Sequence, residues 1–154
     1  MESTGPSTEA RRRWMGILAK AQPAELAEAW ERLKLAVPHD LLRAPEVGMA
    51  MVRGRMGGDG APFNLGEMTV TRCAVALEGG ITGFAWVAGR DRRHAELAAV
   101  CDALLQDPRH RDRVMRTVIA PLAEAQAQRR DDRARRAAAT RVDFFTLARG
   151  ENPR

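Results

Sequence analysis

A glycine-broken alternation in the middle of the chain constrains its fold more than any other feature. Val47, Met49 and Met51 fall on one side of an extended segment and continue as Arg53 and Arg55, while Gly48, Ala50, Val52 and Gly54 take the other. Gly57, Gly58 and Gly60 then free the backbone to turn with positive φ. Glu67 to Leu77 alternates again, and Glu78-Gly79-Gly80 is a tight hairpin signal leading into Ile81 to Val87. The pattern predicts three short antiparallel strands with arginines gathered at one end.

At 154 residues the chain is expected to form one domain, long enough to bury roughly 70% of the surface its unfolded form would expose. No apolar run approaches the ~20 residues of a membrane span, and the polar, acidic start Met1-Glu2-Ser3-Thr4-Gly5-Pro6 is not patterned as a signal peptide. Cys73 and Cys101 match no metal or disulfide framework, so a reducing cytoplasm is expected. The net charge of +5 and pI near 10.4 point weakly to anionic partners. Lysine occurs only at Lys20 and Lys34, and all other positive side chains are arginine, which suits bidentate contact with phosphate or carboxylate.

Residues 1–8, without apolar side chains beyond Met1, are expected to be a disordered leader, with a single α+β domain over 9–150 and a tail over 151–154. Trp14, Ile17, Leu18 and Ala21 have helical spacing and predict a helix from about Glu9 to Ala21. Pro23 restarts the chain as a first-turn proline, and the stripe Leu26, Trp30, Leu33 and Val37 runs to Pro38. The two helices are expected to form a hairpin packed on the sheet. His39 to Pro45 reads as a connector.

After the third strand, Asp91 can cap a helix with an amphipathic face of Leu97, Val100, Cys101, Leu104 and Leu105. Asp107-Pro108 is a second cap and start, and Val114, Met115, Val118, Ile119 and Leu122 continue until Pro121 ends or kinks the helix. Glu124 to Ala139 has high helix propensity and little to bury, so it faces solvent or a partner. The closing segment with Val142, Phe144 and Phe145 must dock, on its own sheet or on another chain, since burying one such ring is worth roughly 1.5–3 kcal/mol.

The inventory of reactive groups is short. Serine occurs only at Ser3 and Ser7 and tyrosine not at all, which excludes a serine nucleophile held by histidine. The cysteines lie on apolar faces, and His39, His94 and His110 have no metal-ligand spacing. No Gly-Lys-Ser or Gly-Lys-Thr follows the glycines. What remains is an arginine and glycine edge: Arg53, Arg55, Arg72, Arg90, Arg92 and Arg93 could converge with the N–H groups of Gly57 and Gly58 on a phosphate. Solvated arginines at a hairpin tip are the alternative. His94 and Glu96, near Arg90 and Asp91, form the one acid–base cluster, with capping and salt bridging as its alternative.

These residues also resemble a known family. Arg55-Met56-Gly57-Gly58 with Gly60, Phe63, Gly66-Glu67, Thr69 and Thr71-Arg72 is one block. Gly83-Phe84-Ala85-Trp86-Val87-Ala88-Gly89-Arg90-Asp91 with His94-Ala95-Glu96 is the next. Ile119-Ala120-Pro121-Leu122, Arg141-Val142-Asp143-Phe144-Phe145 with Arg149-Gly150, and the early Trp14 complete a likeness running from about Trp14 to Gly150. Together they resemble the PhnG family, the small G subunit of the bacterial carbon–phosphorus lyase core complex.

The resemblance implies an α+β protein, with a small antiparallel sheet, an N-terminal helical hairpin and two or three helices after the sheet. It further implies an accessory subunit that works with the H, I and J subunits and the ATP-binding-cassette-like K and L subunits, with self-association possible inside the complex. In that family the G, H, I and L subunits are required to attach methylphosphonate to the ribose of MgATP, with adenine displaced. MgATP would then be a substrate of the complex, and this chain alone would bind no cofactor and carry no catalytic residue. The substrate- or partner-binding candidates are Arg53, Arg55, Gly57, Gly58, Glu67, Thr69, Arg72, Trp86, Arg90, Asp91, His94 and Glu96. Cys73 stands where the family usually has alanine, which suits a packing role.

Two other classes compete. A nucleic-acid-binding protein would explain the basic pI, but the few aromatics sit in apolar stripes and do not interleave with the arginines. A stand-alone anion- or phosphate-binding enzyme would use the arginine and glycine edge and turn over without partners. Neither nucleic acid nor membrane is an expected partner.

Overall fold

The computed structural model describes residues 5–140. Two helices, α1 (Thr8–Ala19) and α2 (Pro23–Leu33), precede β1 (His39–Arg55), β2 (Pro62–Leu77) and β3 (Thr82–Ala88). α3 (Arg92–Gln106), α4 (Pro108–Val114) and α5 (Ala120–Ala139) follow, the last two joined by a π-helical turn at Met115–Ile119. The sheet has the order β1-β2-β3 and is antiparallel throughout, an α+β arrangement as the sequence predicts.

The helix starts follow from their caps. Ser7 accepts the Ala10 N–H (3.1 Å), so α1 begins inside the leader that composition marks as disordered. Pro23 occupies the first turn of α2, and the helix stops at Leu33 because Lys34 turns left-handed (φ 47°), leaving Val37 outside it. Asp91 accepts the His94 N–H (2.9 Å) and Asp107 the Arg109 N–H (2.9 Å), as expected. Pro121 does not end its helix. The wider π turn immediately before it, closed by the Ala120 N–H on the Met115 carbonyl, gives the proline ring room that a regular turn would deny it.

The strands are longer than predicted, and the supposed connector His39 to Pro45 is the first part of β1. The register shift between Arg43 and Glu46 spans Pro45, so its missing N–H falls at an irregularity on an edge strand. Gly79 (φ 89°) and Gly80 (φ 83°) make the β2–β3 turn, closed by the Gly80 N–H on the Leu77 carbonyl (3.0 Å).

α3 is not the one-sided helix its spacing suggests. Ten of its residues are buried, Ala95, Ala98, Ala99 and Ala103 among them, because the sheet lies on one side and α1, α2 and α4 on others. The alanines admit close neighbours. At Gly83 a Cβ would lie 2.0 Å from the Ala99 carbonyl oxygen, so helix and strand backbones touch there. The helical pair α1–α2 rests on α3 and on the π-helical turn at Met115–Ile119, with α1 also reaching β3. Leu18, Leu26, Leu33, Val75, Val87, Leu104, Leu105 and Val118 fill the core. Each is worth roughly 1.5–3 kcal/mol in burial.

At the centre is Asp102, fully buried. Its carboxylate accepts from Arg11 Nε (3.1 Å) and Nη2 (2.7 Å), from Trp14 Nε1 (2.8 Å) and from the backbone N–H of Phe84 (3.0 Å). One side chain thus ties α1, α3 and the edge strand β3 together.

Candidate functional surface

β3 pairs with β2 only from Val70 to Ala76. Beyond Val70 the β1–β2 hairpin continues as a two-stranded ribbon through Pro62, eight residues or about 26 Å at the rise of a strand. Met49 opposes Thr69 and Met51 opposes Glu67 on the face that continues the core side of the sheet, yet among the described residues no helix follows them outward. Met49 is 64% exposed, Met51 53%, Leu65 65% and Met56, at the tip, 76%. Val47, Phe63 and Met68 are also exposed. A bare two-stranded ribbon is marginal in water, and so many large apolar side chains on one arm mark an interaction surface.

The tip is folded on itself. Gly57 (φ 65°) and Gly58 (φ 92°) take conformations that suit glycine, and Arg55 Nη1 donates to the Gly60 carbonyl (3.1 Å). The Gly60 N–H in turn reaches the Met56 carbonyl (2.9 Å). Arg53, opposite Asn64, stands beside this turn.

On the outer face of the sheet, Arg72 opposes both Glu46 and Trp86. Its guanidinium donates to Glu46 Oε1 (2.8 Å from Nε) and lies 5.5 Å from the centre of the Trp86 ring. Arg43 adds a second contact to Glu46 (3.0 Å). The Arg72 hydrogen bond, followed by Arg43, holds the Glu46 carboxyl below its ordinary range despite some desolvation. Trp86 and Phe84 remain half exposed, and Arg11 sits 5.7 Å from the Phe84 ring. A pre-oriented arginine between a carboxylate and an open indole face suits a protein interface.

The remaining candidates lie elsewhere. Arg90, Asp91 and His94 follow the end of β3, about 20 Å along the sheet from Arg53 and Arg55, so the arginines do not gather at one end. His94 is buried with Nε2 donating to the Leu18 carbonyl (2.8 Å), and Asp91 is the α3 cap. Glu96 hydrogen-bonds to His39 (3.1 Å), and Arg93 forms an exposed ion pair with Glu31 (3.7 Å). The supposed acid–base cluster is thus divided among separate structural contacts. Thr69 receives the Gly89 N–H on its carbonyl (2.9 Å), which pins the end of β3, and Glu67 lies on the arm. Val142, Phe144 and Phe145 lie outside the described residues.

Burial pushes the Cys73 thiol up to about 11 and the Cys101 thiol up to about 12, so both are held as neutral packing groups. Among the described residues no group of three or more His, Cys, Asp or Glu could hold a metal, and no helix is long and apolar enough to cross a membrane.

The sequence missed the arm as a surface and missed Asp102. Alternation signals a strand with two unlike faces, and Met49 and Met51 were visible on one of them. Whether a second layer covers that face is not written in the alternation.

The family model described as "Phosphonate metabolism protein PhnG" matches residues 9–150. A protein of Rhizobium meliloti (strain 1021), named "Alpha-D-ribose 1-methylphosphonate 5-triphosphate synthase subunit PhnG", is 44% identical over 144 residues, covering 92% of this chain and 90% of that relative.

Proposed function

This chain belongs to the PhnG family of phosphonate metabolism proteins, and from that premise we propose that it is an accessory subunit of a carbon–phosphorus lyase core complex. In this reading it assembles with the H, I and J subunits, and with K and L. The assembly transfers the ribose triphosphate moiety of MgATP to methylphosphonate with loss of adenine. The chain supplies surface and not reacting groups, and it binds no cofactor by itself.

The observation that carries this reading is the likeness over nearly the whole of both chains to a protein named as a synthase subunit. The geometry supports it. The histidines are committed to structural contacts or lie apart, the thiols are buried, and the arm presents Met49, Met51, Met56 and Leu65 to whatever covers it. We place the partner contact on the arm and on the Arg72–Trp86 face.

Co-expression with the H, I and J subunits tests this. One co-purifying assembly is expected, with the transfer reaction appearing only when the L subunit is added. Elution of this chain by itself, or turnover by the isolated chain, would falsify the reading and favour the stand-alone anion-binding enzyme.

A further inference from the structure

α1 and α5 lie side by side in the same chain direction. Gln126 Nε2 donates to the Ile17 carbonyl (2.7 Å), and Arg129 bridges to Glu25 at the start of α2. Between the two helices is an open cleft of about 730 Å³. Its walls carry Arg12, Arg13, Lys20, Arg129, Arg130 and Arg133, and no carboxylate. Among the described residues only Arg129 of these six has an ion-pair partner, and its Nη2 is buried without a hydrogen-bond acceptor.

A surface built only for solubility intersperses the two signs, as the outer end of α5 does where Arg135 pairs with Asp132 (2.7 Å). Here six cationic side chains line one cleft with no carboxylate among them, and like charges sharing a wall repel. A one-signed cleft focuses the field and draws an anion.

Length and lining narrow the choice of anion. From Arg12 to Lys20 the α1 wall runs about 12 Å. An extended acidic peptide turns a side chain to one face only every second residue, about 6.6 Å, and would bring two carboxylates to that span. A condensed phosphate chain charges every phosphorus and offers paired oxygens to each guanidinium fork. The lining holds no aromatic ring, so the bases of a single-stranded nucleic acid would find no stacking platform.

We propose that the α1–α5 cleft binds the linear polyphosphate group of a small molecule, either a nucleoside triphosphate or inorganic tripolyphosphate, and leaves the rest of the ligand outside. This site is separate from the arm and needs no second chain.

Titration calorimetry of the full-length chain with tripolyphosphate, ATP, AMP, hexaglutamate and a short oligonucleotide tests it. Tripolyphosphate and ATP are expected to bind at least tenfold more tightly than AMP, and to weaken as salt rises. ATP and tripolyphosphate within threefold of each other would support recognition of the phosphates alone. ATP tighter by more than that would support a nucleotide as the source. Arg13→Glu with Arg133→Glu should lower the tripolyphosphate affinity at least tenfold, and Arg12→Glu alone severalfold, while Arg116→Glu, outside the cleft, leaves it within twofold.

Hexaglutamate or the oligonucleotide binding more tightly than tripolyphosphate would overturn the assignment. So would no detectable binding, or equal losses from Arg116→Glu. Because Arg13 and Arg133 lie off the arm, co-purification with the H, I and J subunits should survive their reversal, which separates failure of this site from failure of the assembly reading.

Discussion

Asp102 and Gly83 are the two positions where a single atom matters most. The Asp102 carboxylate is fully buried and satisfies Arg11, the Trp14 indole and the Phe84 N–H at once. Asp102→Asn keeps the volume but turns one acceptor into a donor and leaves Arg11 without its counter-charge. A loss of about 3–5 kcal/mol is expected, read from the urea midpoint. Gly83→Ala places a methyl group against the α3 backbone, 2.0 Å from the Ala99 oxygen, and should cost about 1–3 kcal/mol or more by the same measurement. Cys101 gives a pH signature. Its thiol is raised from 9.0 to about 12, so the folded form holds it neutral while the unfolded form ionises. Its stabilising contribution is complete below pH 9 and is lost as pH rises from there toward 12, by up to about 1.4 kcal/mol per pH unit. With no tyrosine in the chain, no phenol titrates in that window. Denaturation midpoints at pH 8 and pH 10 should therefore converge in Cys101→Ala relative to the parent.

The hairpin arm is the element whose composition does not match its surroundings. Its base is held by β3 and α3, and its outer half has methionines, a leucine and a phenylalanine in water. Flexible methionine side chains adapt to an irregular partner surface. Met49→Ser with Met51→Ser should change the stability of the isolated chain by no more than about 0.5 kcal/mol, since neither side chain is buried. The same pair should reduce recovery of this chain with its co-expressed partners at least severalfold in a pull-down. Undiminished recovery would move the contact off the arm. Arg72→Lys addresses the outer face: it keeps the charge but loses the flat guanidinium between Glu46 and Trp86, and a smaller loss of recovery is expected.

As a whole the molecule pairs a well-filled centre with surfaces that have no cover among the described residues. α3 is enclosed by sheet and helices, while the arm and the last turns of α5 project from the body. Such a shape is expected of a subunit whose buried area is completed by neighbours. Sedimentation of the co-expressed assembly should therefore show this chain wholly in the complex at micromolar concentration, with the purified chain alone giving no transfer product from MgATP and methylphosphonate. A monomer peak persisting beside the complex would indicate a transient contact.

Much of this was readable from the chain itself, wherever the determining forces are local. Asp and Pro placed the helix starts at Pro23, Asp91 and Asp107 because caps act within one turn. The glycines at 57, 58, 79 and 80 set the two hairpins because positive φ is a property of the residue. The α+β class followed from these, and the family likeness from the order of its short motifs. Tertiary structure decided what depends on partners distant in sequence. It made His39–Pro45 a strand by pairing it to β2, surrounded α3 on sides its polarity pattern had assigned to solvent, and left Met49 and Met51 without a layer above them among the described residues. It also set Arg12 and Arg13 on the walls of one cleft with Arg130 and Arg133. Periodicity along one chain specifies which side chains share a face; only the packed fold specifies what that face meets.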